Sequence, residues 1–141
     1  MLLDQGMAVD ATDARRRTAL MLAAGHGHAE LVDLLLSRGA RVNLRDRDGD
    51  TALKYAAWND NLFVIEALLA KGADVNAASA FNVTPLRAAA MSGHTTVVER
   101  LLQAGADPNV RGGDGQTALS FARTREHQEI VRLLEEAGAR E

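Results

Sequence analysis

Four histidines, His26, His28, His94 and His127, are the residues best suited to acid–base or metal chemistry. His28, His94 and His127 fall in one phase of a 33-residue spacing. Recurrence at that step assigns them to a repeated structural position rather than to one reaction centre. His26 and His28 flank Gly27 and offer two imidazoles, but an i, i+2 pair is not the spacing of a helical zinc site and no third ligand lies nearby. Cysteine is absent, which removes thiolate ligands and thiol nucleophiles. No G-x-x-x-x-G-K-[ST] stretch is present to cradle a phosphate, and Gly112–Gly115 (GGDG) reads as a hairpin tip. Acid–base or nucleophilic catalysis needs a group held by a partner in a cleft, and no serine or acid pair stands out in that way. The chain is therefore expected to be no enzyme, with no cofactor and no metal, and its work must lie in its surface.

The elements that present that surface repeat. TALMLAAGHGH from Thr18, TALKYAAWNDN from Thr51, TPLRAAAMSGH from Thr84 and TALSFARTREH from Thr117 begin 33 residues apart without insertion. A second marker keeps the same step: GMAVD at Gly6, GARVN at Gly39, GADVN at Gly72, GADPN at Gly105 and GAR at Gly138. In each unit the Thr hydroxyl is placed to cap a short first helix, and Pro85 suits the first helical position. Leu20, Ala23 and Ala24, with their counterparts Leu53, Ala56, Ala57 and Leu86, Ala89, Ala90, make one apolar stripe. A break at Gly27, Asp60, Gly93 or Glu126 precedes a second helix. Its stripe, Leu31, Val32, Leu35, Leu36 and equivalents, is wide enough to face two neighbours. Gly39, Gly72 and Gly105 then stand where a left-handed residue ends a helix. The polar remainder, such as 43–50, turns the chain back.

Composition agrees with a core of small aliphatic residues. The 141 residues are 47% hydrophobic and only 4% aromatic, so Ala, Leu and Val must fill the interior. A net charge of −3 gives no general pull toward nucleic acid or anionic membrane. No run is long enough to span a bilayer and no signal peptide is evident, so a soluble, cytoplasmic protein is expected.

These motifs resemble those of ankyrin-repeat proteins, whose T-P-L-H-x-A-A, G-H and G-A-D-V-N signatures match in phase over 13–141, with a partial match at 1–12. The resemblance implies an all-α solenoid of helix-turn-helix units joined by β-hairpin-like turns. It would form a single domain over 1–141: a partial repeat at 1–12, then repeats at 13–45, 46–78, 79–111 and 112–141. Three departures carry expectations. The motif His is Met21, Lys54, Arg87 and Ser120, so its hydrogen bond to the Thr region is expected to be missing in every unit. The turn glycine, kept at Gly49 and Gly115, is Arg16 and Asn82 elsewhere; a positive φ there would strain Arg16 by about 1 kcal/mol. In the last unit Arg123 and Glu135 replace small and apolar residues together. They are expected to lie close to each other on a solvated end cap that closes the array.

The resemblance also implies which residues vary for recognition: those one, three and four before the Thr and seven and eight after it. The candidates for protein binding are Arg15 and Arg17; Arg47, Asp48, Asp50, Trp58 and Asn59; Phe81, Val83, Met91 and Ser92; and Arg125. Trp58, Phe81, Val83 and Met91 are expected to form one apolar patch on the two central units. In the alternative reading Trp58 folds back over the inter-helix turn. Tyr55, also a candidate, and Phe121 stand between core edge and surface. Arg15, Arg16, Arg17, Arg45 and Arg47 form a basic cluster, read either as a site for an acidic partner or as a face neutralised by Asp13, Asp46, Asp48 and Asp50. The resulting expectation is a monomeric module that binds another protein on a concave face and turn tips, with no membrane and no nucleic acid as partner. The alternative is an architectural spacer from a longer array. Phosphate or nucleic-acid binding through the arginine tips is less favoured.

Overall fold

The computed structural model describes residues 8–140. Leu2, Leu3 and Gly6 of the expected partial repeat lie outside the described residues. Eight helices follow among the described residues: α1 (Ala19–Gly25), α2 (Ala29–Ser37), α3 (Ala52–Ala57), α4 (Leu62–Ala70), α5 (Pro85–Ser92), α6 (Thr95–Gln103), α7 (Ala118–Thr124) and α8 (Gln128–Glu136). They form four antiparallel pairs. Helices of six to nine residues are not stable alone in water, so packing between pairs holds them.

The threonines do what their position predicts. Thr18, Thr51, Thr84 and Thr117 are extended and buried, and each accepts a hydrogen bond from the backbone N–H three residues on. The expected loss of the motif-His hydrogen bond is corrected in two units. Met21 Sδ accepts from the Thr18 N–H at 3.4 Å, and Ser120 Oγ accepts from the Thr117 N–H at 2.8 Å. Lys54 and Arg87 reach turn-tip carboxylates instead, at 2.7 Å to Asp50 and 2.6 Å to Asp114.

Second helices end as expected. Gly39, Gly72, Gly105 and Gly138 all have φ between 83° and 95°, where only glycine is unstrained. The N–H of the residue after each glycine returns to a helical carbonyl, as in Ala40 to Leu35 at 3.0 Å. The break between helices differs in the second unit. Gly27, Gly93 and Glu126 are left-handed, whereas Asp60 is not. There α3 stops early and Asn61 caps α4 by accepting from the Val64 N–H.

The core runs through the stack without interruption: Leu20, Leu35, Leu53, Ile65, Leu68, Leu86, Leu101, Leu119, Ile130 and Leu134 are almost fully buried. Burying side chains of this size stabilises by about 1.5–3 kcal/mol each. The expected second-helix stripe is graded, with Leu69 and Leu102 only half-buried. First helices α1, α3, α5 and α7 pack on one another more densely than α2, α4, α6 and α8 do. Their alanines permit that approach, so the stack bends toward the first-helix side, which becomes concave.

Asparagines fasten one unit to the next. Asn43 donates to the Gly72 carbonyl (3.1 Å) and accepts from the Asp74 N–H (2.8 Å). Asn76 does the same to Gly105 and Asp107, and Asn109 to Gly138 and Arg140. At the last unit Arg123 and Glu135 form the expected pair, 2.7 Å apart and exposed, while Ile130 and Leu134 stay buried.

Candidate functional site

Turn tips form one edge of the concave side. Each is closed by the same two backbone bonds, seen at Asp13 N–H to the Arg17 carbonyl (3.1 Å) and Arg16 N–H to the Asp13 carbonyl (2.9 Å). The closure requires a left-handed residue, and Arg16 (φ 60°) and Asn82 (φ 59°) fill the place held by Gly49 and Gly115. One further bond joins each tip to the next: Arg47 N–H to the Arg15 carbonyl (2.9 Å), Ala80 N–H to Asp48 (2.9 Å) and Gly113 N–H to Phe81 (2.8 Å). Arg15, Arg47, Asp48 and Phe81 therefore stand side by side along one backbone ladder. All four are exposed, Phe81 at 76%.

Trp58 lies at the other end of the first helices, as the C-cap of α3, and is 46% exposed. Met91 and Ser92, the last residues of α5, are half-buried one unit further on. His94 joins these two turns, its Nε2 donating to the Trp58 carbonyl at 3.0 Å. At ~1.5 Å per residue, six residues of α3 put ~9 Å of helix between Trp58 and the tips. The four apolar candidates thus fall into two groups, Phe81 with Val83 at the tips and Trp58 with Met91 at the inter-helix turns. None of them belongs to the core cluster.

Other candidates are engaged within the fold. Asp13 holds Arg17 at 2.8 Å, and backbone hydrogen bonds from Arg17 lead the effects that lower its carboxyl pKa. Asp50 is paired with Lys54. Tyr55 packs against the core beside Gly25 and donates to Asp46 Oδ2 at 2.5 Å; burial, then that bond, raises its hydroxyl well above the usual phenol range. Asn59 donates to the Gly25 carbonyl. Arg125 is exposed at the α7–α8 turn. Phe121 lies beneath Arg87, whose guanidinium carbon is 4.5 Å from the ring centroid.

A family profile described as ankyrin repeats (3 copies) matches residues 1–79 and again 78–140. The chain belongs to the ankyrin-repeat family. Ankyrin repeats are in general protein–protein interaction modules and are typically non-enzymatic. No curated protein is matched by the chain. No helix among the described residues is long and apolar enough to cross a membrane.

Within this ankyrin array two features escaped sequence reasoning. Phe63, on α4, is 81% exposed where the other second helices carry Glu30, Thr96 and Glu129. That contrast was present in the sequence and is the signal that would have found it. Asp46, Asp48 and Asp50 also cluster, with carboxylate oxygens within 4.8 Å of one another. Asp46 is buried and accepts from the Asp48 and Asp50 N–H groups and from Tyr55, while Asp50 accepts from Lys54. The arrangement is that of a turn held by its own side chain.

Proposed function

We propose that this ankyrin array binds a protein partner across its concave side, from the turn tips of the first three units to the inter-helix turns at Trp58 and Met91. It acts as one domain over 1–141, with repeats at 13–45, 46–78, 79–111 and 112–141, and as a monomer. The observation that carries this reading is Trp58. It is the only tryptophan, it lies outside the core, and nearly half of its surface is open, while its backbone carbonyl is held by His94. A large side chain on a fixed backbone contributes binding energy with little ordering cost, and tryptophan dominates many interfaces for that reason. Arg15, Arg47, Asp48 and Phe81 supply the rim.

The test is affinity capture with the full chain, followed by titration of the captured protein. Trp58→Ala should weaken binding by about 2 kcal/mol while the far-ultraviolet circular dichroism is unchanged. Unaltered affinity in that variant would remove Trp58, and with it this face, from the account.

A further inference from the structure

The aspartates that the sequence places among the tip arginines are unevenly available. Asp13 is paired with Arg17, Asp50 with Lys54, and Asp46 is buried under Tyr55 and its own turn. Arg45 donates to the Gly49 and Ala78 carbonyls. Arg15, Arg16 and Arg47 are exposed, and among the described residues their guanidinium groups have no hydrogen bond or ion pair. Asp48 is the one carboxylate of the turn that receives no cation or hydrogen-bond donor among the described residues, and it is exposed. At these tips three guanidinium groups and one carboxylate are thus left without a partner among the described residues. The next step of the same hydrogen-bonded ladder presents Phe81.

Resting on the protein-binding reading above, we infer that the tips of the first three units bind an extended acidic peptide segment of the partner that ends in a large apolar side chain. The carboxylates would lie on Arg15, Arg16 and Arg47, and the apolar side chain against Phe81. Guanidinium groups suit carboxylates because they donate two parallel hydrogen bonds. Units stacked roughly 8–10 Å apart place Phe81 roughly 16–20 Å from the first tip. An extended chain covers that distance in about five or six residues. The ladder changes chemistry at each step, from arginine through Asp48 to Phe81 and then Asp114. A peptide can match such changes residue by residue, whereas the uniform charge of a polyphosphate backbone would run onto Asp48 and then onto the exposed Phe81 ring.

The probe is a fluorescein-labelled decapeptide with four consecutive glutamates followed, two residues on, by a leucine pair. It is titrated into the full chain at low salt, beside a peptide with lysine for each glutamate and a ten-nucleotide oligothymidylate. The inference expects saturable binding of the glutamate peptide, with amide shifts in ¹⁵N spectra confined to the tips. Affinity should fall severalfold when salt rises to 200 mM. It should fall at least tenfold in an Arg15→Glu/Arg47→Glu variant and about threefold or more in Phe81→Ala. Circular dichroism of these surface variants should match the parent. No binding of the glutamate peptide, or equal binding of the lysine peptide, overturns the inference. Binding of the oligonucleotide as tightly as the peptide, lost in the same arginine variant, overturns it in favour of a nucleic-acid site. A captured partner that loses affinity with Trp58→Ala but not with the arginine variant leaves the protein-binding reading standing and removes this one.

Discussion

The first two turn tips and the last two share a backbone, a left-handed residue at the same place and the same bond from tip to tip, yet they use their charges oppositely. At Arg15–Arg17 and Arg47–Asp50 the turns engage Asp13, Asp46 and Asp50, and leave Arg15, Arg16 and Arg47 outside together with Asp48. At the junction of the third and fourth units the arginine is inside. Arg87 is 6% exposed, lies over Phe121 and is held by both oxygens of Asp114 at 2.6 and 3.1 Å. That leaves Phe81 as the exposed feature of the third tip. The first two tips, 13–17 and 46–50, carry four arginines and four aspartates. Their rim is basic because the fold engages three of those aspartates but only one of those arginines. Of charged residues the last two tips carry Asp114 alone, which Arg87 holds. What decides the surface is which charges the fold already satisfies.

The largest effect expected comes from the scaffold under both halves. Leu101 is fully buried in α6, and Leu101→Ala should cost about 2–5 kcal/mol in urea unfolding. A loss below 1 kcal/mol would mean that the stack is not packed through this residue. Next is the seam between the halves. Asn76→Ala removes the bonds to Gly105 and Asp107 and should cost about 1–3 kcal/mol. Amide exchange should then quicken more in α6 and α8 than in α1, and uniform quickening would contradict a local seam. A smaller change should sharpen the basic end. Arg16→Gly relieves a left-handed arginine and should stabilise by about 0.5–1 kcal/mol while weakening the glutamate peptide. Destabilisation would show that the Arg16 side chain contributes to the fold.

The smallest effect is in pH and belongs to the other end. The hydrogen bond from Arg87, followed by that from the Gln116 N–H, lowers the Asp114 pKa below its ordinary 3.8. A carboxyl with a depressed folded-state pKa stabilises above its unfolded value, and the contribution disappears as pH falls through the folded value. Asp114→Asn should therefore be less stable than the parent at pH 7 and equal to it once pH has dropped well below 3.8. A difference that persists unchanged in acid would assign the loss to something other than the ion pair. Because Asp114 is exposed, salt should shrink the effect.

The repeats, caps and helix ends were legible because they rest on local rules: a hydroxyl at the N-cap, a glycine at the left-handed stop, a stripe at helical spacing. Phase carried the rest of the fold, since Asn43, Asn76 and Asn109 recur at the step that lets each clamp the next unit. Side-chain commitments were not legible. Nothing local to Met21 or Ser120 says that they replace a histidine's acceptor, because that depends on rotamers fixed by the folded turn. The basic cluster is legible in the sequence, but its balance depends on Tyr55 and Lys54 engaging Asp46 and Asp50. A single apolar patch is not formed because Trp58 and Phe81 lie at opposite ends of the first helices, and Phe63 falls outside the recognition positions of the repeat.

Trp58 and Phe63 flank one turn of the second unit, the first closing a concave-side helix and the second opening an outer one. Titrating the captured partner against Trp58→Ala and Phe63→Ala therefore separates the two sides of the stack directly. The account predicts a loss of roughly thirtyfold for Trp58→Ala, corresponding to about 2 kcal/mol, and no change for Phe63→Ala. The reverse pattern would contradict it and move the binding face to the outer helices.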